Sequence, residues 1–286
     1  MEKIEIVSNQ NTRVLKVLCE NLPKYKYSSF EKALRNKDIL VNKKRVKENV
    51  VVNVGDNIII FLDTTSKKDL YKIFYQDENV IVFYKDKGIE VCDGIFNIKQ
   101  DYEEKGNEII HPIHRIDRNT VGLVLFAKNL SIQKTLIDYF KKGYVTKEYF
   151  AVVSNCQKDE DNLTNYLKKD GEKSEVKIFD TKIAGSVLVQ TYYKKKRDFC
   201  QELSLLDVKI SEGKTHQIRA QLAYNKMPIL GDEKYGDTKL NKKYKKHTQC
   251  LQAYKIIFNI PKGRNLEYLN NVDLCTSLDK FLEVTI

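Results

Sequence analysis

One short segment of the sequence concentrates groups that can do chemistry. Residues 111–120, HPIHRIDRNT, place the carboxylate of Asp117 between the guanidinium groups of Arg115 and Arg118, just before an apolar run at 121–127. Neighbouring cations favour the ionised form of a carboxylate. In a pocket that also excludes water, such an anion is a competent nucleophile or base. Taken alone, an Arg-Ile-Asp-Arg segment is more often a surface salt-bridge cluster than a catalytic site, so Asp117 is at this point a candidate for a reactive carboxylate.

The same segment has a second chemical interpretation, because His111, His114 and Asp117 recur at a spacing of three residues. Imidazole and carboxylate groups of this kind bind the metal ion of many hydrolases. The positive charges of Arg115 and Arg118 beside the ligands would repel a cation. We therefore expect a site without a metal ion.

The composition limits the class of protein. The 286 residues include 50 Lys and Arg against 39 Asp and Glu, a net charge of +11, with 42% hydrophobic and 31% charged residues. These fractions are typical of a soluble globular chain and exclude disordered, collagen-like and membrane-bundle proteins. The basic excess favours a polyanion, above all nucleic acid, as the partner. At roughly 150 residues per domain, the length predicts about two domains.

The N-terminus and the cysteines predict a cytoplasmic protein. The first ten residues, MEKIEIVSNQ, are partly acidic and lack the apolar core of a signal peptide. The longest apolar run, 121–127, is far shorter than the roughly 18 residues that cross a bilayer. Six cysteines without a C-x-x-C pair are typical of reduced thiols, so neither disulfides nor a cysteine zinc site is expected. We also expect a monomer.

The reactive segment belongs to a larger domain, which we predict over residues 71–286. Strand-like runs recur at 73–75, 80–84, 121–127, 149–153, 187–193 and 203–210. A helix is predicted over 131–142, where Ile132, Leu136 and Phe140 share one face. Strands joined mainly by hairpins, with few helices of crossover length, favour an α+β fold: a mixed, largely antiparallel β-sheet with flanking helices.

A smaller α+β domain is predicted before it, over residues 1–63, followed by a polar linker at 64–70. Two helices, at 12–22 and from Ser28, precede the strands, which are predicted at 39–41, 50–52 and 58–62. Between residues 32 and 47 the chain carries seven Lys or Arg and one Asp. Such a run can simply solvate a surface helix, but its density favours RNA binding. The candidate RNA contacts are Lys32, Arg35, Lys37, Lys43, Lys44 and Arg45.

Four ordered motifs of the larger domain are similar to those of the RluA-type pseudouridine synthases, which isomerise uridines in ribosomal and transfer RNA. HRIDRNTVGLVLFAKN at 114–129 resembles H-R-L-D-x-x-T-S-G-L-L-L, and IFYQDENVIVFYKDKGIEV at 73–91 resembles the opening hairpin. KEYFAV at 147–152 resembles K-x-Y-x-A-x-V, and GKTHQIR at 213–219, continuing to MPILGDEKY, resembles G-R-T-H-Q-I-R…P-I-x-G-D-x-x-Y. The resemblance covers about residues 71–258.

This resemblance implies roles for particular residues. Asp117 would begin the reaction, as nucleophile or as base, and Arg219 would pair with it and hold it ionised. Tyr149 would stack on the extruded uracil and help to remove its carbon-5 proton. Arg115 would fill the space left by the flipped base, although a surface or phosphate-binding arginine is an equal alternative. No cofactor is implied, and the expected substrate is large-subunit ribosomal RNA, with transfer RNA as the alternative.

The smaller domain resembles the S-four-type RNA-binding domain, in which a helix and an adjoining loop form a basic face for structured RNA. Around the chemical motifs, we expect His216 and Gln217 to shape the turn that presents Arg219. The lysine-rich runs at 194–197 and 242–246 are expected to lie in solvated loops, where they could contact phosphates.

The chain also departs from the family pattern. The departures are Asp86-Lys87 for Lys-Pro, Glu212 and Lys214 for the Thr and Arg around the glycine, Val121 for Ser, and Gln252 for the His of a late L-H-A motif. A non-catalytic RNA-binding or ribosome-assembly factor that retains the fold is therefore the alternative function. Because Asp117, Tyr149 and Arg219 are all present, we expect an enzyme with a divergent target site.

Overall fold

The computed structural model describes residues 1–25, 27–62, 70–94, 97–170, 175–200, 202–210 and 212–285. Of the predicted linker at 64–70, Leu70 is among them, and its side chain is buried. The remainder of that linker lies outside the described residues.

Within these ranges the chain forms seven α-helices, seventeen β-strands and a short 3-10 helix at Glu267–Asn271. The helices are α1 (Val14–Asn21), α2 (Tyr27–Arg35), α3 (Ile98–Glu104), α4 (Leu130–Lys141), α5 (Gln217–Tyr224), α6 (Thr238–Lys243) and α7 (Leu278–Thr285). The strands are β1 (Glu2–Val7), β2 (Thr12–Arg13), β3 (Ile39–Val41), β4 (Lys44–Val46), β5 (Val51–Val52), β6 (Asn57–Leu62), β7 (Tyr71–Gln76), β8 (Val80–Lys85), β9 (His111–Pro112), β10 (Val121–Ala127), β11 (Val145–Ser154), β12 (Glu160–Lys169), β13 (Val176–Phe179), β14 (Val187–Cys200), β15 (Leu203–Ile210), β16 (Leu251–Phe258) and β17 (Leu274–Cys275). None of the described helices combines the length and the apolar character needed to span a bilayer.

The N-terminal residues build a small sheet of their own. The strands β1, β6, β3 and β4 lie in that order, all antiparallel, and β2 pairs with β5 in a separate ribbon. Alternate residues of β6 are buried, as expected for a strand with one face on a core, and α1 and α2 pack against that core. The prediction that a helix begins at Thr12 is wrong, because Thr12 and Arg13 form β2 and pair with Val52 and Val51.

Eleven strands form the large sheet that positions the candidate catalytic residues. Its order is β13-β12-β14-β15-β11-β16-β10-β8-β7, with β9 beside β10 and β17 beside β16. The pairs along it are antiparallel, with the exception of β10 and β16, which run parallel. The predicted α+β fold on a mixed, largely antiparallel sheet is therefore confirmed.

The central strands of this sheet are buried on both faces. One face of β8 and β10 packs Phe83 and Phe126 into a core shared with the candidate site, and the other packs Val82 and Leu125 against α4. A strand covered on both sides has no position where a polar side chain meets water. This is why β10 reads as the continuous apolar run VGLVLFA.

Two basic runs that were expected to be loops contain regular structure. β14 was predicted at 187–193 but continues to Cys200, so the basic run 194–197 lies within a strand and not in a loop. Lys194, Lys196 and Arg197 are exposed there, so their charges stay hydrated. In the second run, Lys242 and Lys243 form the end of α6, whereas Lys245 and Lys246 follow the helix in a turn and a loop. The loop prediction was therefore wrong for 194–197 and for the first half of 242–246, and correct for Lys245 and Lys246.

Gly122 is the point at which β10 lies against β16. It pairs with Ala253 in the parallel register and has a positive φ of 119°. A Cβ atom added at this position would lie 2.1 Å from the carbonyl oxygen of Ala253. Because glycine has no side chain, β10, the strand that follows the Asp117 loop, can pair closely with β16 at this position.

We predict that Gly122→Ala lowers the free energy of unfolding by about 3 kcal/mol or more, because the added methyl meets a backbone atom and the φ angle is strained. Gly106→Ala is the matched control, since Gly106 has a positive φ but no atom within 4 Å of the added Cβ. Urea denaturation of both variants measures the difference. Equal losses of stability would show that the contact with β16 is not the constraint.

Candidate active site

The loop between β9 and β10 carries Asp117. The Thr120 N–H donates to the Asp117 carbonyl at 3.0 Å, which closes a turn just before β10, and Gln249 Nε2 donates to the buried Thr120 hydroxyl at 3.2 Å. The Asp117 side chain remains 24% exposed. The backbone of the loop is thus fixed while the carboxylate stays accessible to a substrate.

Arg219 on α5 holds the Asp117 carboxylate. Its Nη1 donates to Asp117 Oδ2 at 2.8 Å, while Nε and Nη2 donate to the two oxygens of Asp232 at 2.6 and 2.9 Å. Burial opposes the charge on Arg219, but hydrogen bonds and the charges of Asp232 and Asp117 raise the pKa of the guanidinium. Burial also acts against the ionised Asp232, but hydrogen bonds from Arg219 and from two backbone N–H groups lower the pKa of that carboxyl. The expected contact is present, and Asp232 is a partner that the sequence analysis missed.

Gln217 and Gln221 fix α5 against the sheet. Gln217 Nε2 donates to a backbone carbonyl of β14 and to Glu212 Oε2, both at 3.0 Å, and its Oε1 accepts from the Lys214 N–H at 2.9 Å. One turn later, the Thr191 hydroxyl donates to Gln221 Oε1 at 2.6 Å. Gln217 thus lies where it can shape the turn before Arg219, as expected. Glu212, one of the departures from the family pattern, contributes to the same network.

Tyr149 forms the aromatic wall of the same cavity. It lies on β11, is 4% exposed, and lines with Asp117 and Arg219 a cavity of about 40 Å³. Asp117 and Arg219 also border a wider cleft of about 610 Å³, a size typical of ligand sites. Burial, and then the charge of Asp117, raise the pKa of the Tyr149 hydroxyl. The fold therefore brings together the three residues expected to be catalytic, with Tyr149 as a neutral phenol.

A buried lysine that the sequence analysis missed ties the Asp117 loop to β8. Lys85 Nζ donates to the backbone carbonyls of Asp86 and Ile89, each at 2.9 Å, and of Arg118 at 2.8 Å. Burial lowers the pKa of Lys85 to about 7, although nearby carboxylates act in the opposite direction. Because Arg118 follows Asp117, these bonds hold the backbone beside the candidate catalytic carboxylate. The sequence signal that could have indicated this buried lysine is its place at the end of the otherwise apolar strand VIVFYK.

Arg115 borders the cleft in a weak ion-pair arrangement. Its Nη1 lies 2.8 Å from Asp93 Oδ2 and its Nη2 lies 4.0 Å from Glu90 Oε2, and its side chain is 56% exposed. Exposed pairs of this kind contribute less than about 1 kcal/mol, because both charges are well hydrated. Arg115 can therefore exchange its partners at low cost.

His114 does not join Asp117 in a metal site. Its Nε2 accepts a hydrogen bond from the Leu125 N–H at 3.1 Å, so this lone pair is not free for a cation. Burial, and then the charge of Lys147, lower the pKa of the His114 ring. Across the part of the chain that the structure describes, no three His, Cys, Asp or Glu side chains are grouped to hold a metal ion. In this structure His114 is therefore engaged with the backbone of β10 and is not grouped with Asp117 as a metal ligand.

All six candidate RNA contacts in the N-terminal residues have exposed side chains. They are Lys32 and Arg35 on α2, Lys37, Lys43 at the turn before β4, and Lys44 and Arg45 on β4. Among these six and within the described ranges, an ion pair is formed by Arg45, with Asp38 at 3.9 Å. The remaining charges are therefore available to a polyanion.

Comparison with known proteins gives consistent results. The family described as RNA pseudouridylate synthase matches residues 79–224. An uncharacterized RNA pseudouridine synthase of Mycoplasma genitalium is 30% identical over 93% of this chain and 91% of its own length. The ribosomal large subunit pseudouridine synthase C of Rickettsia bellii is 32% identical over 80% of this chain and 84% of its own. The solved structure of human RNA pseudouridylate synthase domain containing 4 has a TM-score of 0.60 at 20% identity, covering 74% of this chain and 90% of that one, a likeness of fold.

The depressed pKa of Lys85, about 7 in the folded chain, generates a prediction about pH. Above pH 7 the unfolded chain, in which a lysine titrates near 10.4, binds more protons than the folded chain, so this group makes stability rise with pH. Between pH 7.5 and 9.5, the free energy of unfolding should rise more steeply for the wild type than for Lys85→Met, by about 1 kcal/mol per pH unit.

Urea denaturation at several pH values measures these slopes. The control is Lys87→Met at an exposed lysine two residues away, which should keep the wild-type slope. If the free energy of unfolding rises equally steeply with pH in the wild type and in Lys85→Met, the lowered pKa is not that of Lys85.

Proposed function

Because the chain belongs to the RNA pseudouridylate synthase family, we propose that it isomerises uridine to pseudouridine in large-subunit ribosomal RNA. The names of two relatives, ribosomal large subunit pseudouridine synthases C and D, support this choice of substrate. The observation that carries the proposal is an accessible carboxylate, Asp117, held by a buried arginine at a cavity with a tyrosine wall. Transfer RNA is the second substrate class to test.

The reaction breaks the N-glycosidic bond, rotates the uracil while it stays bound and joins carbon 5 to the ribose, without a change of oxidation state. Asp117 starts this sequence as a nucleophile at the sugar or as a base, and both roles require the carboxylate to be ionised. Arg219 supports that state through its hydrogen bond to Oδ2. The role of Arg219 is therefore to position and stabilise the anion.

Tyr149 acts on the base. A buried, neutral phenol offers an aromatic face on which the extruded uracil can stack. Removal of the carbon-5 proton by its oxygen would require the phenol to give up its own proton, which the raised pKa disfavours. The environment of Tyr149 therefore favours stacking as its main contribution.

Arg115 is suited to occupy the space left by the flipped base. A stacked uridine cannot reach a carboxylate in a cleft, so the enzyme must extrude it. Arg115 lies two residues before Asp117, and its weak pairing with Asp93 can be replaced by contacts with RNA. A phosphate-binding role for Arg115 is the alternative.

The N-terminal residues 1–63 act as a separate RNA-binding domain, beside a catalytic domain at 71–286. Support comes from their own sheet and core and from the exposed cations Lys32, Arg35 and Lys43. Affinity for RNA is dominated by phosphate contacts, so this face adds binding free energy without taking part in the chemistry. A cytoplasmic location and a monomeric state remain predictions.

We predict that Asp117→Asn abolishes turnover while the protein still folds and binds RNA. The substitution keeps the volume of the side chain but removes its charge, and Arg219 keeps Asp232 as its partner. The rate should fall by more than about a thousandfold, because the amide can neither attack nor accept a proton. Release of tritium from carbon-5-labelled uridine in the RNA measures it.

The control for this variant is Asp138→Asn, an acid on α4 that pairs with Lys142 at the surface. It should retain the wild-type rate. A rate for Asp117→Asn within about tenfold of the wild type, or about 1.4 kcal/mol of barrier, would mean that another carboxylate carries the chemistry.

For the basic face, we predict that the triple variant Lys32→Gln, Arg35→Gln and Lys43→Gln weakens RNA binding and flattens its dependence on salt. Each lost phosphate contact removes a released counterion, so the slope of log affinity against log salt should fall by about 0.7 to 0.9 per contact. Filter binding at several salt concentrations measures the slope.

A matched triple variant on α4 and the residue after it, Lys134→Gln, Lys141→Gln and Lys142→Gln, removes the same number of exposed lysine or arginine charges. It should leave the slope near that of the wild type. Equal slopes for the two triple variants would show that the N-terminal face makes no special contribution.

A further inference from the structure

His216 borders the reactive carboxylate but has no role in the chemistry described above. It precedes α5 with a left-handed backbone, φ 52°, and its side chain is 12% exposed. It lines both the small cavity and the wider cleft together with Asp117 and Arg219. Its ring is therefore within reach of a bound nucleotide.

The hydrogen bonds around His216 favour one of its two neutral tautomers. The Val176 N–H donates to the Tyr235 hydroxyl oxygen at 2.9 Å, and Tyr235 can donate its own hydrogen to His216 Nδ1, which lies 3.0 Å from that oxygen. Burial lowers the pKa of His216, although the charge of Asp117 acts in the opposite direction, so the ring is neutral at pH 7. A neutral ring whose Nδ1 accepts a bond carries its proton on Nε2.

The Nε2 atom lies near the carboxylate of Asp117. Nε2 lies 4.0 Å from Asp117 Oδ2, which is too far for a hydrogen bond and close enough to face the same substrate atoms. Within the described residues, no acceptor lies at hydrogen-bond distance from Nε2. Because His216 lines the cavity and makes no bond through Nε2 within the described residues, this nitrogen is available to donate to an oxygen of a bound ligand.

The position of Asp117 identifies that oxygen. A carboxylate that acts as a nucleophile at carbon 1′ or as a base at carbon 2′ must lie beside the ribose, and the 2′-oxygen is bonded to carbon 2′. Resting on the proposed function, we propose that the His216 Nε2–H donates a hydrogen bond to the 2′-oxygen of the target uridine. Because this hydroxyl distinguishes RNA from DNA, His216 selects a ribonucleotide at the reacting position.

A cycle of two enzymes and two substrates tests this contact. The enzymes are the wild type and His216→Phe, which keeps a planar ring but has no N–H. The substrates are two RNAs that differ at the target position, one with uridine and one with 2′-deoxyuridine, both labelled with tritium at carbon 5. For each enzyme, the rate on the uridine RNA is divided by the rate on the 2′-deoxyuridine RNA. This ratio should be about tenfold larger for the wild type than for His216→Phe. The effect of the deoxyribose on the chemistry itself is the same for both enzymes and cancels when the two ratios are compared.

Two further variants keep the result decisive. His247→Phe, at an exposed histidine, should respond to the deoxyribose like the wild type. If His216→Phe does not fold, Tyr235→Phe replaces it, because loss of the hydroxyl releases the Nδ1 bond and should reduce the same coupling. Equal slowing of the wild type and the folded His216 or Tyr235 variant, within about twofold, would overturn the proposal. Failure of the wild type to release tritium from the uridine RNA would instead reject the proposed function.

Discussion

The Arg219 guanidinium lies between two carboxylates, and the site depends on this shared cation. A buried guanidinium without a counter-charge would cost several kcal/mol, so Asp232, which binds two of its nitrogens, keeps it charged in the interior. The third nitrogen then binds a single oxygen of Asp117. Within the described residues, Oδ1 of Asp117 is left for a substrate. One ion pair thus anchors the arginine, and the second orients the reactive group.

Such an arrangement works if the backbone of Asp117 cannot move, and the constraints on it come from different parts of the sheet. Lys85 binds the carbonyl of Arg118 from the end of β8. Thr120 closes the turn and is bound by Gln249. Gly122 then lets β10 lie against β16, so the loop is fixed at both ends. A carboxylate on a fixed loop loses little conformational freedom when it reacts.

The cavity is lined by groups of different chemistry. Asp117 and His216 supply a carboxylate and an imidazole, and Tyr149 supplies an aromatic surface. Under the proposed function, the first two would face the sugar and Tyr149 would face the base. His216 Nδ1 lies 3.0 Å from the Tyr235 hydroxyl oxygen, and the Arg219 guanidinium lies 5.4 Å from the Tyr235 ring. Residues 213–235 are therefore connected through their side chains. Helix α5 carries Arg219, and Tyr235, in the segment after the helix, contacts both Arg219 and His216.

Local patterns in the sequence determined the α+β class, the bounds of β15, the approximate bounds of α4 and the flanking of Asp117 by two arginines. These follow from side-chain period, capping and short motifs, which involve neighbours along the chain. Tyr149 and Arg219 became candidates through the resemblance of their motifs to a known family. The strands β1 and β12 were missed because many of their residues are polar and one face is exposed, so they lack a strong apolar run. The pairing of Asp232 with Arg219, the burial of Lys85 and the position of His216 beside Asp117 were decided by the tertiary structure. Their physical cause is the close approach of segments distant in sequence, such as Asp117 and Arg219, 102 residues apart, where burial makes each unmatched charge costly.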